Sequence, residues 1–220
     1  MNSEIHRIII AGIGPGAREY ILPAAQAAID RAAVLVGGRR ALAEYAQPAG
    51  SGQLTQVIDR DIDGVLAFID RQLAAHDVTV MVSGDPGYYS LLDAVRRRFP
   101  ANLLRVIPGI SSFQLAFARL ALPWHDARLL SFHGRYPREE DLQYAPGAML
   151  GMLNDTTYDS ARVAQVLLEH GWPGDSRFFI CSRLSYPDEE IITAALQQAA
   201  SGEIPGRGNC VLIVAASQPE

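Results

Sequence analysis

Three short turns rich in glycine and proline contain the residues whose types and spacing could do chemistry. They occupy residues 12–16, 83–87 and 108–112 of the 220-residue chain. Glycine has no Cβ to hold a ligand away, so the backbone N–H and C=O groups of such turns can bind one directly. The middle turn adds Asp85, whose carboxylate can accept hydrogen bonds. Asp-Pro-Gly is also typical of an ordinary turn, so these residues alone leave a ligand site and a plain connection open.

Each turn follows an apolar run that predicts a β-strand, at residues 7–13, 78–82 and 103–107. The other predicted strands and helices of this half alternate, at residues 18–31, 33–36, 39–45, 56–58, 62–75, 88–99 and 111–122. Such alternation predicts a parallel sheet covered on both faces. Ligands bind at the carboxyl ends of the strands in these sheets, so we expect the three turns to converge on one site.

The second half of the chain is less regular. We place the domain boundary at the Pro-Trp-His-Asp sequence of residues 123–126, which gives domains of residues 1–123 and 127–220. Strands are expected at residues 129–132, 148–153, 178–182 and 210–215, and helices at residues 160–170 and 188–201. The uneven intervals predict a mixed rather than a purely parallel sheet, so the fold class is α/β in both halves.

Composition excludes several classes of protein. No run approaches the roughly 18 apolar residues of a membrane span, and no signal-peptide pattern is present, so we expect a cytoplasmic protein. All 19 basic residues are arginine, which excludes Schiff-base and P-loop lysines, and the net charge of -5 argues against non-specific nucleic-acid binding. Cys181 and Cys210 lie in apolar runs as core residues. The histidines lack ligand-like spacing, so we expect no metal site.

A nicotinamide or flavin oxidoreductase is one alternative, because Gly12-x-Gly14-x-x-Ala17 satisfies the dinucleotide fingerprint. That fingerprint needs an acidic residue near the end of the second strand to hold the ribose, and the chain has Gly37-Gly38 there. Pro15 also removes a backbone N–H that a pyrophosphate would use. Both features argue against this interpretation.

The three turn sequences, in this order and spacing, resemble those of the tetrapyrrole methylase family. They read Gly-Ile-Gly-Pro-Gly at residues 12–16, Ser-Gly-Asp-Pro-Gly-Tyr-Tyr-Ser at residues 83–90 and Pro-Gly-Ile-Ser-Ser at residues 108–112, and the resemblance extends over essentially the whole chain. It implies an S-adenosylmethionine-dependent enzyme with two αβα domains and the cofactor in the cleft between them.

Three further segments resemble the CbiE type of this family, at residues 36–40, 130–135 and 184–189. Such enzymes methylate C5 of cobalt-precorrin-7, or of precorrin-6y/7, in cobalamin biosynthesis. Because the sequence stops after one two-domain unit, we expect the free-standing form, with functional pairing to a separate CbiT-type C15-methyltransferase. The resemblance also implies a homodimer.

The resemblance assigns a cofactor site to turn residues and to two residues of a second-domain strand: Pro15, Gly84, Asp85, Tyr88, Ser111, Ser112, Met152 and Leu153. His133 and Arg135 lie just past a predicted strand of the second domain, near where a substrate would enter. Arg135 is a candidate partner for the acetate and propionate groups of a corrin precursor.

Methyl transfer from a sulfonium to a ring carbon needs neither a metal nor a covalent intermediate, but a proton must leave C5. Asp85 and His133 are the candidates to take it. Alternatives stay open for both residues, as a turn carboxylate and as a half-buried structural histidine. A non-catalytic tetrapyrrole-binding protein on the same scaffold is a further alternative, because no obligatory nucleophile distinguishes it from an active methylase.

Overall fold

The computed structural model describes residues 5–204 and 206–216. The chain divides into two compact units after Ser111, and each unit contains its own five-stranded sheet. Glu220, at which the sequence stops, lies outside the described residues. Among the described residues, none of the helices combines the length and the apolar character that a membrane span requires.

The sheet of the first unit is entirely parallel, as the alternation of elements predicted. Its strands are β1 (Ile8–Gly12), β2 (Val34–Gly37), β3 (Leu54–Val57), β4 (Val78–Val82) and β5 (Leu104–Ile107), in the order β3-β2-β4-β1-β5. Ile10, Val80 and Val36 lie side by side across three strands and are completely buried. These apolar runs are covered on both faces, which is why they do not alternate with polar residues.

The helices of the first unit are α1 (Pro23–Asp30), α2 (Arg39–Tyr45), α3 (Ile62–Gln72) and α4 (Leu92–Arg98). α1 begins later than predicted because Pro23, which lacks an N–H, occupies its first turn, and Arg18–Tyr20 form a short 3₁₀ turn instead. Asp61 caps α3 as predicted: its carboxylate accepts a hydrogen bond of 2.9 Å from the Gly64 N–H. α4 also begins late, at Leu92, where the Ser90 hydroxyl accepts a hydrogen bond from its first N–H.

The second unit has a mixed sheet, as the irregular intervals predicted. Its elements are α5 (Ser112–Arg119), β6 (Arg128–Ser131), α6 (Glu139–Leu142), β7 (Met149–Leu153), α7 (Ser160–Glu169), β8 (Arg177–Ser182), β9 (Glu190–Ala195), α8 (Leu196–Ala200) and β10 (Cys210–Ala215). The strand order is β6-β7-β10-β8-β9, in which β6 and β7 are parallel and the other pairs antiparallel. Leu212 lies between Met152 and Ile180 at the centre of its core, and all three are completely buried.

The helix predicted over residues 188–201 was wrong for its first half. Residues Glu190–Ala195 form β9, which pairs antiparallel with β8, and the helix that follows has only five residues. Ile191, Ile192 and Thr193 are β-branched, a type that fits the half-buried surface of an edge strand. The free edge of β8 decided between the two structures, and that edge is not visible in the local sequence.

Helix α5 belongs to the second unit, whereas the sequence analysis divided the chain at residues 123–126. Phe113 of this helix is buried against β7: a Cβ at Gly151 would lie 3.2 Å from its ring. Phe117, one turn further on, is completely buried and stacks on Trp124 with ring centroids 6.4 Å apart. The apolar face of α5 is thus covered by the second sheet and its connecting loop.

Candidate functional site

The three glycine turns meet at the carboxyl edge of the first sheet, as expected from the sequence. The first and second turns are joined by backbone alone: the Gly84 N–H donates to the Gly14 carbonyl at 2.8 Å, and these two residues form an isolated antiparallel bridge. The third turn is joined through Gly109, whose N–H donates to the Asp85 carboxylate at 3.0 Å. Three loops that are far apart in sequence therefore form one continuous backbone surface.

Two glycines of the turns that were not among the predicted cofactor residues make this approach possible. A Cβ on Gly12 would lie 2.6 Å from the Gly84 carbonyl oxygen and 2.7 Å from the Gly109 nitrogen. A Cβ on Gly109 would overlap the same carbonyl oxygen and lie 2.9 Å from Gly12. Such distances are far below van der Waals contact, so only glycine fits at either position. Gly12 ends β1 and Gly109 lies two residues beyond the end of β5, so their signal in the sequence was a glycine at the carboxyl end of each strand.

Gly14 and Gly84 are required for a different reason. Their φ angles are +78° and +68°, in the left-handed region that residues with a Cβ adopt only at a cost. Space is not the constraint at Gly84, because an added Cβ would lie 3.7 Å from the Ser111 Cα. A substitution there changes the backbone as well as the surface, and so it would strain the fold itself.

Asp85 holds two backbone segments at once. One carboxylate oxygen accepts a hydrogen bond of 2.7 Å from the Gly87 N–H, and the other accepts the bond from Gly109. This is the role of a turn residue, and it links the second and third turns. A carboxylate has about four acceptor positions, so two hydrogen bonds leave Asp85 able to accept from a ligand as well.

The remaining first-unit candidates lie in or beside the same turns. Pro15, Tyr88 and Ser111 are all half-buried. The Tyr88 ring contacts the Tyr89 ring edge-on, with centroids 4.5 Å apart. Tyr89 is 47% exposed and has a φ of +46°, a strained backbone for a residue with a large side chain. The sequence did not reveal this strained backbone at Tyr89.

The other predicted cofactor residues belong to the second unit. Ser112 is the first residue of α5. The Met152 side chain is completely buried in the second core, so this residue can offer a ligand only its backbone. Leu153 is half-buried at the end of β7, where its carbonyl accepts a hydrogen bond of 2.7 Å from the Phe132 N–H.

His133 and Arg135 are exposed in the loop that follows β6, so His133 is not the half-buried histidine considered as its alternative. A residue that sequence reasoning missed holds this loop: the Asp155 carboxylate accepts hydrogen bonds from the N–H groups of Gly134, Thr157 and Tyr158, at 2.8 to 2.9 Å. These bonds, that from Gly134 first, lower the pKa of Asp155 below its usual value. Asp155 lies two residues after the end of β7, in the turn, where carboxylates often accept backbone hydrogen bonds.

The segment 184–189 is also held by a carboxylate. Glu189 pairs with Arg119 of α5, with Oε1 2.6 Å from Nε, and accepts a 2.6 Å hydrogen bond from the Ser185 N–H. Burial alone would raise the pKa of Glu189, but these hydrogen bonds outweigh it and leave the pKa below its usual value. Arg183 and Ser185 have φ angles of +52° and +71°, so the carboxylate stabilises a strained backbone.

The geometry does not support a dinucleotide site. β2 ends at Gly37 and leads through Gly38 into α2, with no acidic side chain at that position. The first glycine turn leads into a 3₁₀ turn, and α1 begins only at Pro23, so no helix N-terminus faces the turn directly. Within the part of the chain that the structure describes, no group of three His, Cys, Asp or Glu side chains could hold a metal ion.

The architecture is that of the tetrapyrrole methyltransferases. The solved structure of the methyltransferase CobJ superposes with a TM-score of 0.82 at 21% identity, covering 96% of this chain and 95% of that one. The precorrin-6Y methylase (cbiE) of Archaeoglobus fulgidus gives a TM-score of 0.67 at 22% identity, with 98% and 99% covered. A uroporphyrin-III C-methyl transferase from Thermus thermophilus, complexed with S-adenyl homocysteine, gives 0.73 at 22% identity, with 94% and 91% covered.

The chain belongs to the Tetrapyrrole (Corrin/Porphyrin) Methylases, whose family model matches residues 7–200. It is similar to the cobalt-precorrin-7 C(5)-methyltransferase of Salmonella typhimurium, with 32% identity over 84% of this chain and 88% of the relative. A probable cobalt-precorrin-7 C(5)-methyltransferase of Methanocaldococcus jannaschii is 26% identical over 93% of this chain and 96% of the relative. The family predicted from the three turns is confirmed.

Proposed function

We propose that the protein is an S-adenosylmethionine-dependent C-methyltransferase that acts at C5 of cobalt-precorrin-7, or of precorrin-6y/7, in cobalamin biosynthesis. The observation that carries the proposal is its similarity, over most of both chains, to a relative named for this reaction. The meeting of three glycine turns at one sheet edge adds support, because it offers a surface of backbone groups without side chains in the way.

The residues of the first unit fit a cofactor that is bound mainly through backbone. A Cβ at Gly12 or Gly109 would fill the junction of the turns, and Asp85 keeps two of the turns in register. In the proposal, Pro15, Gly84, Tyr88 and Ser111 line the site of S-adenosylmethionine, and Ser112, Leu153 and the backbone of Met152 contribute to it. The bound cofactor supplies the methyl group of its sulfonium.

Positioning supplies most of the rate in such a transfer, since fixed geometry provides effective molarities on the order of 10⁵ M. We assign Asp85 to this positioning, because protonation would weaken its hold on the Gly87 and Gly109 N–H groups. His133 is then the candidate to take the C5 proton, and Arg135 the candidate to bind a substrate carboxylate. Both side chains are exposed at a strand end, where a substrate can reach them.

The proposal is tested by incubating the purified protein with S-adenosylmethionine and either cobalt-loaded or metal-free precorrin-7, followed by mass spectrometry of the product. We expect one added methyl group and no loss of carbon dioxide. Two methyl groups, or decarboxylation of the earlier intermediate, would contradict the assignment to C5. Calorimetry with S-adenosylmethionine separates a methylase from a protein that binds only tetrapyrroles. NAD is the control for a dinucleotide-binding enzyme.

The proposed enzyme acts as a homodimer and pairs functionally with a CbiT-type C15-methyltransferase. Sedimentation at micromolar concentration tests the first statement, and a strict monomer would contradict it. The second is tested by starting from the earlier intermediate: this protein together with the C15 enzyme should add two methyl groups and release carbon dioxide, whereas this protein alone should do neither. Neither result alters the test of methyl transfer itself.

A further inference from the structure

A cavity of about 500 Å³ opens at the amino edge of the first sheet, opposite the glycine turns. Three arginines from separate elements line it: Arg7 precedes β1, Arg31 follows α1, and Arg105 lies in β5. The length of β1, roughly 13 Å at 3.3 Å per residue, separates this edge from Gly12. The volume falls within the range of small-molecule pockets, yet the cavity takes no part in the proposed methyl transfer.

Small side chains create the space. Ala28, Ala32 and Ala33, at the end of α1 and in the connection to β2, line the cavity where larger residues would fill it. The sheet contributes Ile9 and the completely buried Thr79, which are register neighbours. Arg105 is the register neighbour of Ile9 on the other side, so its side chain emerges from the same face of the sheet as that of Ile9. Ile9 and the three alanines form the apolar floor of the cavity.

The charges around the cavity are unbalanced. Among the described residues that line it, three guanidinium groups and the imidazoles of His6 and His76 face a single carboxylate, that of Asp77. Asp77 accepts a hydrogen bond of 2.8 Å from the backbone N–H of Arg7, and it lies 3.5 Å from the His6 ring. Within residues 5–204 and 206–216, the guanidinium groups of Arg7, Arg31 and Arg105 form no ion pair.

Helix ends account for only part of this charge. Arg31 follows the last residue of α1, where a cation stabilises the negative end of the helix dipole. Arg7 and Arg105 lie before and within strands, which have no comparable dipole. These two arginines therefore converge on an apolar floor without an ion-pair partner inside the described chain.

We propose that this cavity binds a small organic anion with at least two carboxylate or phosphate groups. A guanidinium grips either group through two parallel hydrogen bonds, and three of them on separate elements can hold more than one acidic group. The apolar floor formed by Ile9 and the three alanines favours a carbon-containing anion over an inorganic one. The ligand site is distinct from the glycine turns, at the other edge of the same sheet.

Calorimetry at constant ionic strength tests the proposal, with citrate as the carboxylate probe, fructose 1,6-bisphosphate as the phosphate probe and sulfate as the inorganic control. We expect one saturable site per chain for citrate or the bisphosphate, and weaker binding of sulfate. The double substitution Arg31→Gln with Arg105→Gln should lower the affinity by on the order of 100-fold, roughly tenfold for each guanidinium. The matched control, Arg96→Gln with Arg97→Gln on α4, removes the same charge elsewhere in the unit and should bind normally.

Three results would overturn the proposal. The first is an absence of saturable binding by both organic probes up to about 10 mM, a concentration that covers even weak metabolite sites. The second is equal binding by the cavity variant and the control variant. The third is competition with S-adenosylhomocysteine, which would place the anion at the glycine turns. If the double variant fails to fold, Arg105→Gln alone makes the same comparison, with an expected loss of roughly tenfold.

Discussion

The two units hold the loops at the carboxyl ends of their strands in different ways. In the first unit, backbone meets backbone at Gly12, Gly84 and Gly109. In the second unit, β8 runs in the same direction as β6 and β7, and the loops after these strands are held by the carboxylates of Asp155 and Glu189. The first arrangement leaves no room for a Cβ at Gly12 or Gly109 and uses one carboxylate, that of Asp85, whereas in the second a carboxylate holds each loop. Size substitutions and charge substitutions should therefore affect the two edges differently.

The largest effect is expected from Gly12→Ala. Its Cβ would lie 2.6 Å from the Gly84 carbonyl oxygen, and the backbone on both sides cannot move away to relieve the overlap. The free energy of unfolding should therefore fall by about 3 kcal/mol. Urea denaturation measures this difference. Gly38→Ala is the control, because no atom lies within 4 Å of the added Cβ and its φ is −62°, and it should stay within about 0.5 kcal/mol of wild type. Equal stability of the two variants would refute the backbone junction.

A smaller loss is expected from Asp85→Ala, which removes the side chain that joins backbone segments in the first unit. Two N–H donors, of Gly87 and Gly109, lose their acceptor, at a cost of about 2 to 3 kcal/mol in unfolding free energy. Under the proposed function, the variant should also bind S-adenosylmethionine more weakly, since the turns lose their register. Calorimetry and urea denaturation on the same sample check both effects. Unchanged stability would mean that backbone alone holds these turns.

Glu189→Gln tests the carboxylate arrangement of the second unit. Arg119 and the Ser185 N–H lose a charged acceptor, and because the guanidinium is partly exposed we expect a loss of about 1 to 2 kcal/mol. The matched control is Glu169→Gln, whose partner Arg162 is 3.3 Å away in an exposed pair and whose loss should be no more than about 0.5 kcal/mol. Equal losses of stability in the two variants would show that Glu189 and Arg119 form an ordinary surface ion pair.

The smallest effect is a pH dependence at Asp155. Its pKa is lowered in the folded state, so its contribution is present above the unfolded pKa, about 3.9, and is lost as the pH falls through the folded value. The stability difference between wild type and Asp155→Asn should thus be largest at neutral pH and should narrow in acid below about pH 4. Urea midpoints across this range measure it. A difference that stays constant down to about pH 3 would contradict the stabilising role of these hydrogen bonds.

Local patterns predicted much of the architecture. The strands at residues 78–82 and 210–215, the helix at residues 39–45 and the cap at Asp61 were all found as expected, because each depends on neighbouring residues. The parallel and the mixed sheet followed from the spacing of the elements. The convergence of the glycine turns followed as well, since parallel strands present their carboxyl ends at one edge.

Contacts between distant segments decided the rest. Pairing with β8 made residues 190–195 a strand, and packing against β7 assigned α5 to the second unit. The hydrogen bond that Asp85 accepts from Gly109 and the complete burial of Met152 also depend on partners many residues away. The sequence alone determined the family, the types of most elements and the turns that form the candidate site. Tertiary structure decided which atoms those turns present, because hydrogen bonds and packing between segments far apart in the chain leave no local pattern.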